Sequence, residues 1–194
     1  KGATYNYKES IINARGVEFI EVADANIIPG DGKATVRANA AMDPLDSASV
    51  VANRRTKHHT IYEATVNVKT RWNYNATGKY DYLDENKRKQ VIYFDQVAVD
   101  SSRQSFATGI IADEANFTLS PAFFYKGDVR LEANEKPLIF SGYGKLNHSC
   151  SELPLQWFGF SSSIDPEDIN IRITSEAKNE NGTLLEASAM IPVD

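Results

Sequence analysis

The chain has 194 residues, one cysteine and a formal net charge of −5, with 42% apolar and 24% charged residues. These values fit a globular domain and exclude an internal disulfide framework and a globally disordered chain. The acidic balance argues against nucleic acid as the main partner, because phosphate binding needs a basic face, and no apolar run reaches the roughly 18 residues of a membrane-spanning helix.

Lys1 opens the sequence where an initiator Met would stand, and the polar run Gly2–Ser10 follows. A processed or excised chain is therefore expected, with any targeting segment outside it. Helical periodicity is almost absent, and alternation dominates. The first strands are expected over Phe19–Ile28 and Ala34–Ala38, separated by the turn Pro29–Gly32. Small residues recur in this third of the chain at Ala23, Ala25, Ala34, Ala38, Ala40, Ala48 and Ala52. On an inner face they would let two β walls approach closely. Next, Tyr62, Ala64, Val66 and Val68 fall on one face of a strand, with Glu63, Thr65, Asn67 and Lys69 on the other. The polar loop Asp84–Lys89 reads as the turn of a hairpin between Tyr80–Leu83 and Gln90–Phe94. A tighter hairpin is expected where Lys126-Gly127-Asp128 joins Ala122–Tyr125 to Val129–Ala133. Asn134–Pro137 then turns the chain into Leu138–Tyr143. Ile169, Ile171 and Ile173 alternate once more, and Asn179–Gly182 makes a late turn before Leu184–Ile191.

The fold class is all-β. The small inner residues favour a flattened roll or solenoid-like stack of short strands with antiparallel hairpins, and the alternative is an antiparallel β-sandwich or jelly roll. No fixed-length repeat or low-complexity linker divides the chain. Residues 1–194 are taken as one domain, with a possible C-terminal subregion over 151–194.

Several groups of side chains bear on function. Arg54, Arg55, Lys57, His58 and His59 form a basic run. It could contact phosphate or an acidic glycan, or be a solvated loop before a strand. His58, His59, Glu63, His148 and Cys150 could ligate a soft metal, but the spacing lacks the pairs of a zinc site. Asp165–Asn170 gathers oxygen ligands that would suit calcium, and equally reads as an acidic turn without an EF-hand loop. No nucleophile elbow, phosphate loop or dinucleotide fingerprint appears, so no cofactor is expected and a non-catalytic chain is the reading. Carboxylate pairs such as Asp95 with Asp100, or Glu18 with Glu21, would serve a hydrolase only if the fold set them about 5–9 Å apart. Trp72, Tyr74, Tyr80, Tyr82 and Tyr93 could make a flat aromatic platform for sugar faces; their alternative role is cross-strand packing. Trp157–Phe160 reads as core or interface, and Cys150 as a buried, reduced thiol. Sequons occur at Asn75, Asn116, Asn147 and Asn181.

Gly16–Pro29, His59–Val66, Tyr80–Tyr82, Phe117–Pro121 and Tyr125–Leu131 resemble segments of very large, uncharacterised exported envelope proteins of Bacteroidota. The resemblance implies a bacterial envelope or extracellular setting and a fragment of a longer protein, and it assigns no residue a role. The run of short alternating strands with small inner residues is more loosely similar to the open β-rolls of the lipopolysaccharide-transport (OstA-like) group. A structural or interaction module is therefore expected, with a glycan or another envelope protein as partner. A carbohydrate-binding module is the alternative, and a hydrolase with dispersed carboxylates is the second.

Overall fold

A computed structural model describes residues 2–38, 41–149, 155–166, 169, 171 and 176–185. The fold is all-β, and a short 3₁₀ turn, Asp113–Ala115, interrupts the strands. Fourteen strands follow one another: β1 Gly2–Asn6, β2 Ile11–Arg15, β3 Ile20–Val22, β4 Ala25–Ile28, β5 Lys33–Val36, β6 Leu45–Ala52 and β7 His59–Thr70. Then come β8 Asn73–Leu83, β9 Lys89–Val99, β10 Ser105–Ile111, β11 Thr118–Ser120, β12 Phe123–Glu132, β13 Leu138–Leu146 and β14 Trp157–Ile164. β1, β2 and β5 make a small sheet, and the other eleven strands make a large one in the order β14-β13-β12-β10-β9-β8-β7-β6-β4-β3, with β11 beside β12. The strands pair antiparallel throughout the described residues, so from β6 onward the chain is mainly a meander curled into a half-barrel.

Bulges supply the curl. Register shifts fall between Leu45 and Ala48 in β6, between Tyr62 and Thr65 in β7, and between Ala76 and Gly78 in β8. Ser47 and Glu63 carry the positive φ values of 51° and 46° at two of these points. An inserted residue bends its strand and increases the local twist. Gly78 sits opposite the β7 bulge, where a Cβ would come within 2.6 Å of Ile61 and 3.0 Å of Ala64, so only glycine allows this approach.

The concave face holds the core. Ile27, Val50, Ile61, Ala64, Val66, Ile92, Phe94, Val97, Val129, Leu131 and Leu138 are buried there. Tyr82, Phe117, Tyr125 and Phe140 add an aromatic layer with ring centroids 5.0–6.4 Å apart. Their hydroxyls are satisfied inside it: Tyr82 donates to the Leu119 carbonyl at 2.8 Å and Tyr125 to that of Asp128 at 2.5 Å. Satisfying these groups removes the cost of burying them.

The antiparallel Asp84–Lys89 hairpin and the turns at Pro29, Asn134 and Asn179 occur as the sequence indicates. Val129, Leu131 and Ala133 are buried, and so are Ala23, Ala25, Ala34, Ala48 and Ala52; Ala38 is exposed. Three expectations need correction. Phe19–Ile28 is a hairpin, because Ala23 at φ 51° turns β3 into β4. Tyr62 does not share the inner face of Ala64; the bulge resets the alternation, so Ile61 is buried and Tyr62 lies among Asp81 and Lys89. Lys126–Asp128 is no turn, since β12 continues unbroken through it, paired with Tyr143–Ser141 of β13. Gly127, at φ 132°, bends the strand there. Ala40, Cys150, Ile173 and the Asp165–Asn170 residues Glu167, Asp168 and Asn170 lie outside the described residues.

Candidate functional site

Hydrogen bonds draw five turns together. The Ala23 amide donates to the Arg71 carbonyl at 2.9 Å, and the Arg54 amide to that of Asp24 at 2.8 Å. The Ser105 amide and hydroxyl donate to the Asp24 carboxylate, the hydroxyl at 2.5 Å, and Tyr74 pairs with the same hydroxyl at 2.7 Å. The Ala133 amide donates to the Ser105 carbonyl, and the Thr56 hydroxyl to the Ala133 carbonyl. The turns β3–β4, β6–β7, β7–β8, β9–β10 and β12–β13 therefore meet. Loops held together on a rigid sheet are a common place for recognition.

A shallow concavity opens at this meeting point, lined by Ala23, Asp24, Asn53, Arg54, Arg55, Trp72, Ser102, Arg103 and Gln104. Trp72 is 44% exposed. The Arg103 and Arg71 guanidinium carbons lie 4.5 and 5.0 Å from its ring centroid, within cation–π range. Arg54 pairs with Glu21, whereas Arg55, Arg71 and Arg103 have no carboxylate partner among the described residues. Asp24 is engaged by Ser105, and Asp100 accepts the amides of Ser102 and Gln104. Gln104 Oε1 is buried without a hydrogen-bond partner. Guanidinium groups without a carboxylate partner, one exposed ring and the Gln104 side chain thus share one small surface with the Asp24 carboxylate.

His59 anchors this meeting point from inside. Its Nε2 lies 2.7 Å from the Glu135 carbonyl and must donate to it, so the neutral ring accepts from the Tyr80 hydroxyl at Nδ1, 3.1 Å away. Burial lowers the His59 pKa, against the raising effect of the Glu135 carbonyl. Burial likewise pushes the Tyr80 hydroxyl up to about 12.

The aromatic platform does not assemble. Tyr74 and Tyr82 are 0% and 1% exposed, and Tyr80 packs inward between His59 and Phe94. Their alternating positions on β8 put all three on the core face. Only Trp72 and Tyr93 are exposed, one in a turn and the other on the outer face of β9 opposite Lys79. Of the basic run, Arg54 and Arg55 join the concavity and His59 is core. Arg71, Arg103 and Gln104 are additions from the structure, and no local pattern marks them: each belongs to a short turn that means little until the sheet curls.

A second shallow depression lies on the outer face of β9, β10, β12 and β13, with Asp95 and Asp128 beside Arg130. Asp100, the sequence partner of Asp95, lies in the β9–β10 turn and is not among its lining residues. Among the described residues, the carboxyl groups whose pKa the fold moves all move down: Asp31 through its bond from Lys33, Asp43 through Arg37, and Asp81 because desolvation, the largest single effect, is outweighed by Lys89 and Tyr62 together. No group of three or more His, Cys, Asp or Glu side chains suited to a metal occurs among the described residues. No described helix is long and apolar enough to cross a membrane. No family model, curated protein or solved structure matches the chain.

Proposed function

We propose that this chain is a non-catalytic interaction module of a larger exported protein of a bacterial envelope. The observation that carries the module reading is the composition of the turn-lined concavity. It offers guanidinium groups, a tryptophan and a carboxamide, and the one hydroxyl bonded to its Asp24 carboxylate, that of Ser105, is buried beneath it. Such groups hold a ligand and have no evident means of breaking a bond in it. The envelope setting is supported by the resemblance of Gly16–Pro29 and Tyr125–Leu131 to exported Bacteroidota proteins. The hydrolase alternative wants a carboxylic acid with a raised pKa, and the shifted carboxyl groups among the described residues move the other way.

Two measurements on the native gene product test the reading. Fractionation of the source cells should place the protein in the envelope or the medium. Purified protein incubated with chromogenic esters, phosphate esters and glycosides should give no turnover above buffer. Recovery from the cytosol would remove the envelope reading, and turnover of any of these substrates would remove the non-catalytic one.

A further inference from the structure

We propose that the concavity around Trp72 binds an acidic saccharide, recognised through its carboxylate or sulfate groups by Arg55, Arg71 and Arg103 and through its hydroxyls by Gln104. The inference rests on the module reading and names its ligand class.

Guanidinium groups match planar oxyanions with two parallel N–H donors. Three of them here lack a carboxylate partner among the described residues, on a chain whose net charge is −5. The unpaired positive charge is therefore a feature of this site and not of the protein. A long phosphate backbone would meet repulsion from the acidic remainder, which disfavours nucleic acid. The neighbouring neutral groups speak for a sugar. Gln104 lines the concavity, and its carboxamide can hydrogen-bond sugar hydroxyls. The Trp72 ring is 44% exposed beside the Arg103 and Arg71 guanidiniums, and its exposed part can pack against sugar C–H groups. The site is shallow and open along the turns, which suits a chain-like ligand lying across it.

Arg103 adds a second line. It closes the β9–β10 turn at φ 63°, a conformation that glycine adopts freely and other residues at a cost. Turn geometry alone would favour glycine here. The arginine side chain instead reaches Trp72.

The test uses the 194-residue chain in affinity electrophoresis and titration calorimetry at low ionic strength. The probes are polygalacturonate, heparin, neutral dextran, inorganic phosphate and single-stranded DNA. The first two should bind and weaken as salt is added; preference between them shows whether carboxylate or sulfate is read. Dextran should not bind, and phosphate should compete only weakly. Arg103→Gly relieves the turn, so it should fold at least as well while binding about tenfold or more weakly, as expected for loss of a charge-assisted bond. Arg71→Gln should weaken binding too, and Lys87→Gln, in the β8–β9 turn, should leave it unchanged. Absence of binding to both acidic polysaccharides, equal binding by Arg103→Gly, or stronger binding of DNA or phosphate would overturn the proposal. Reducing ends are counted in the same samples. Chain cleavage would sink the non-catalytic reading while the ligand class stood, whereas no binding and no cleavage would sink the ligand class alone.

Discussion

Burial disfavours the charged form of His59, and this has a consequence for stability. In the unfolded chain the ring titrates near about 6.5. In the fold its pKa is lower, because the imidazolium would have to leave water for the space between Tyr80 and the Glu135 carbonyl. Below about pH 6.5 the unfolded state therefore binds the proton and the native state resists it. The contribution of His59 is fully present above about 6.5 and is lost as pH falls from there through the folded pKa. A single proton limits the slope to about 1.4 kcal/mol per pH unit. The urea midpoint of the wild type should fall between about pH 7.5 and about pH 5.5. His59→Gln should be weaker at the higher pH yet lose less over the same interval. If the variant loses as much as the wild type, His59 is not the group responsible.

Among the elements, the β12–β13 pair shows how closely backbone packing constrains residue choice. Gly127 bends β12, and Gly142 faces it in register on β13. A Cβ on Gly142 would fall on the Lys126 carbonyl oxygen and within 2.8 Å of the Gly127 Cα, with the Tyr125 hydroxyl at 3.0 Å. Two of these three neighbours are backbone, so rotamer changes cannot relieve the clash. Gly142→Ala should cost about 1–3 kcal/mol in chemical denaturation, whereas Gly2→Ala, with nothing within 4 Å, should be close to neutral. Equal effects would mean that the strands separate more easily than this packing implies. The same pair marks the limit of reading elements from sequence. Val129, Leu131 and Ala133 announce their buried face by strict alternation, and the fold keeps it. Lys126-Gly127-Asp128 has turn composition but serves as a bend, because glycine permits both and only the partner strand decides between them. His59–Val68 misleads for a related reason: the extra residue at the Glu63 bulge shifts every side chain before it to the other face. The site was legible only in fragments. Arg54, Arg55 and Trp72 stand out by type, but Arg71 and Arg103 gain meaning from hydrogen bonds such as Ala23 to Arg71 and Ser105 to Asp24, which link turns far apart in sequence.

At the scale of the molecule, those same bonds tie the early strands to the late ones. A meander alone is held together strand by strand, and its ends could open separately. Here the β6–β7 turn reaches the β12–β13 turn through Thr56 and Ala133, and His59 reaches Glu135. The aromatic layer joins β8 to β13 through Tyr82 and Phe140, 5.9 Å apart. Opening one half therefore exposes core shared with the other, which favours a single cooperative transition. The two tryptophans are well placed to test this. Trp72 reports from the β7–β8 turn, and Trp157 from β14, where the ammonium groups of Lys126 and Lys145 lie 4.4 and 4.5 Å from its ring. In Trp157→Phe the fluorescence comes from Trp72 alone, and in Trp72→Phe from Trp157 alone. Within each variant the fluorescence transition should coincide with the far-ultraviolet dichroism that follows the whole sheet. Comparison inside a variant matters, because either substitution can shift the midpoint itself. If Trp157 loses its native emission at lower denaturant than the dichroism of the same sample, β14 unfolds as a separate unit, and the cross-sheet contacts do not bind the chain into one.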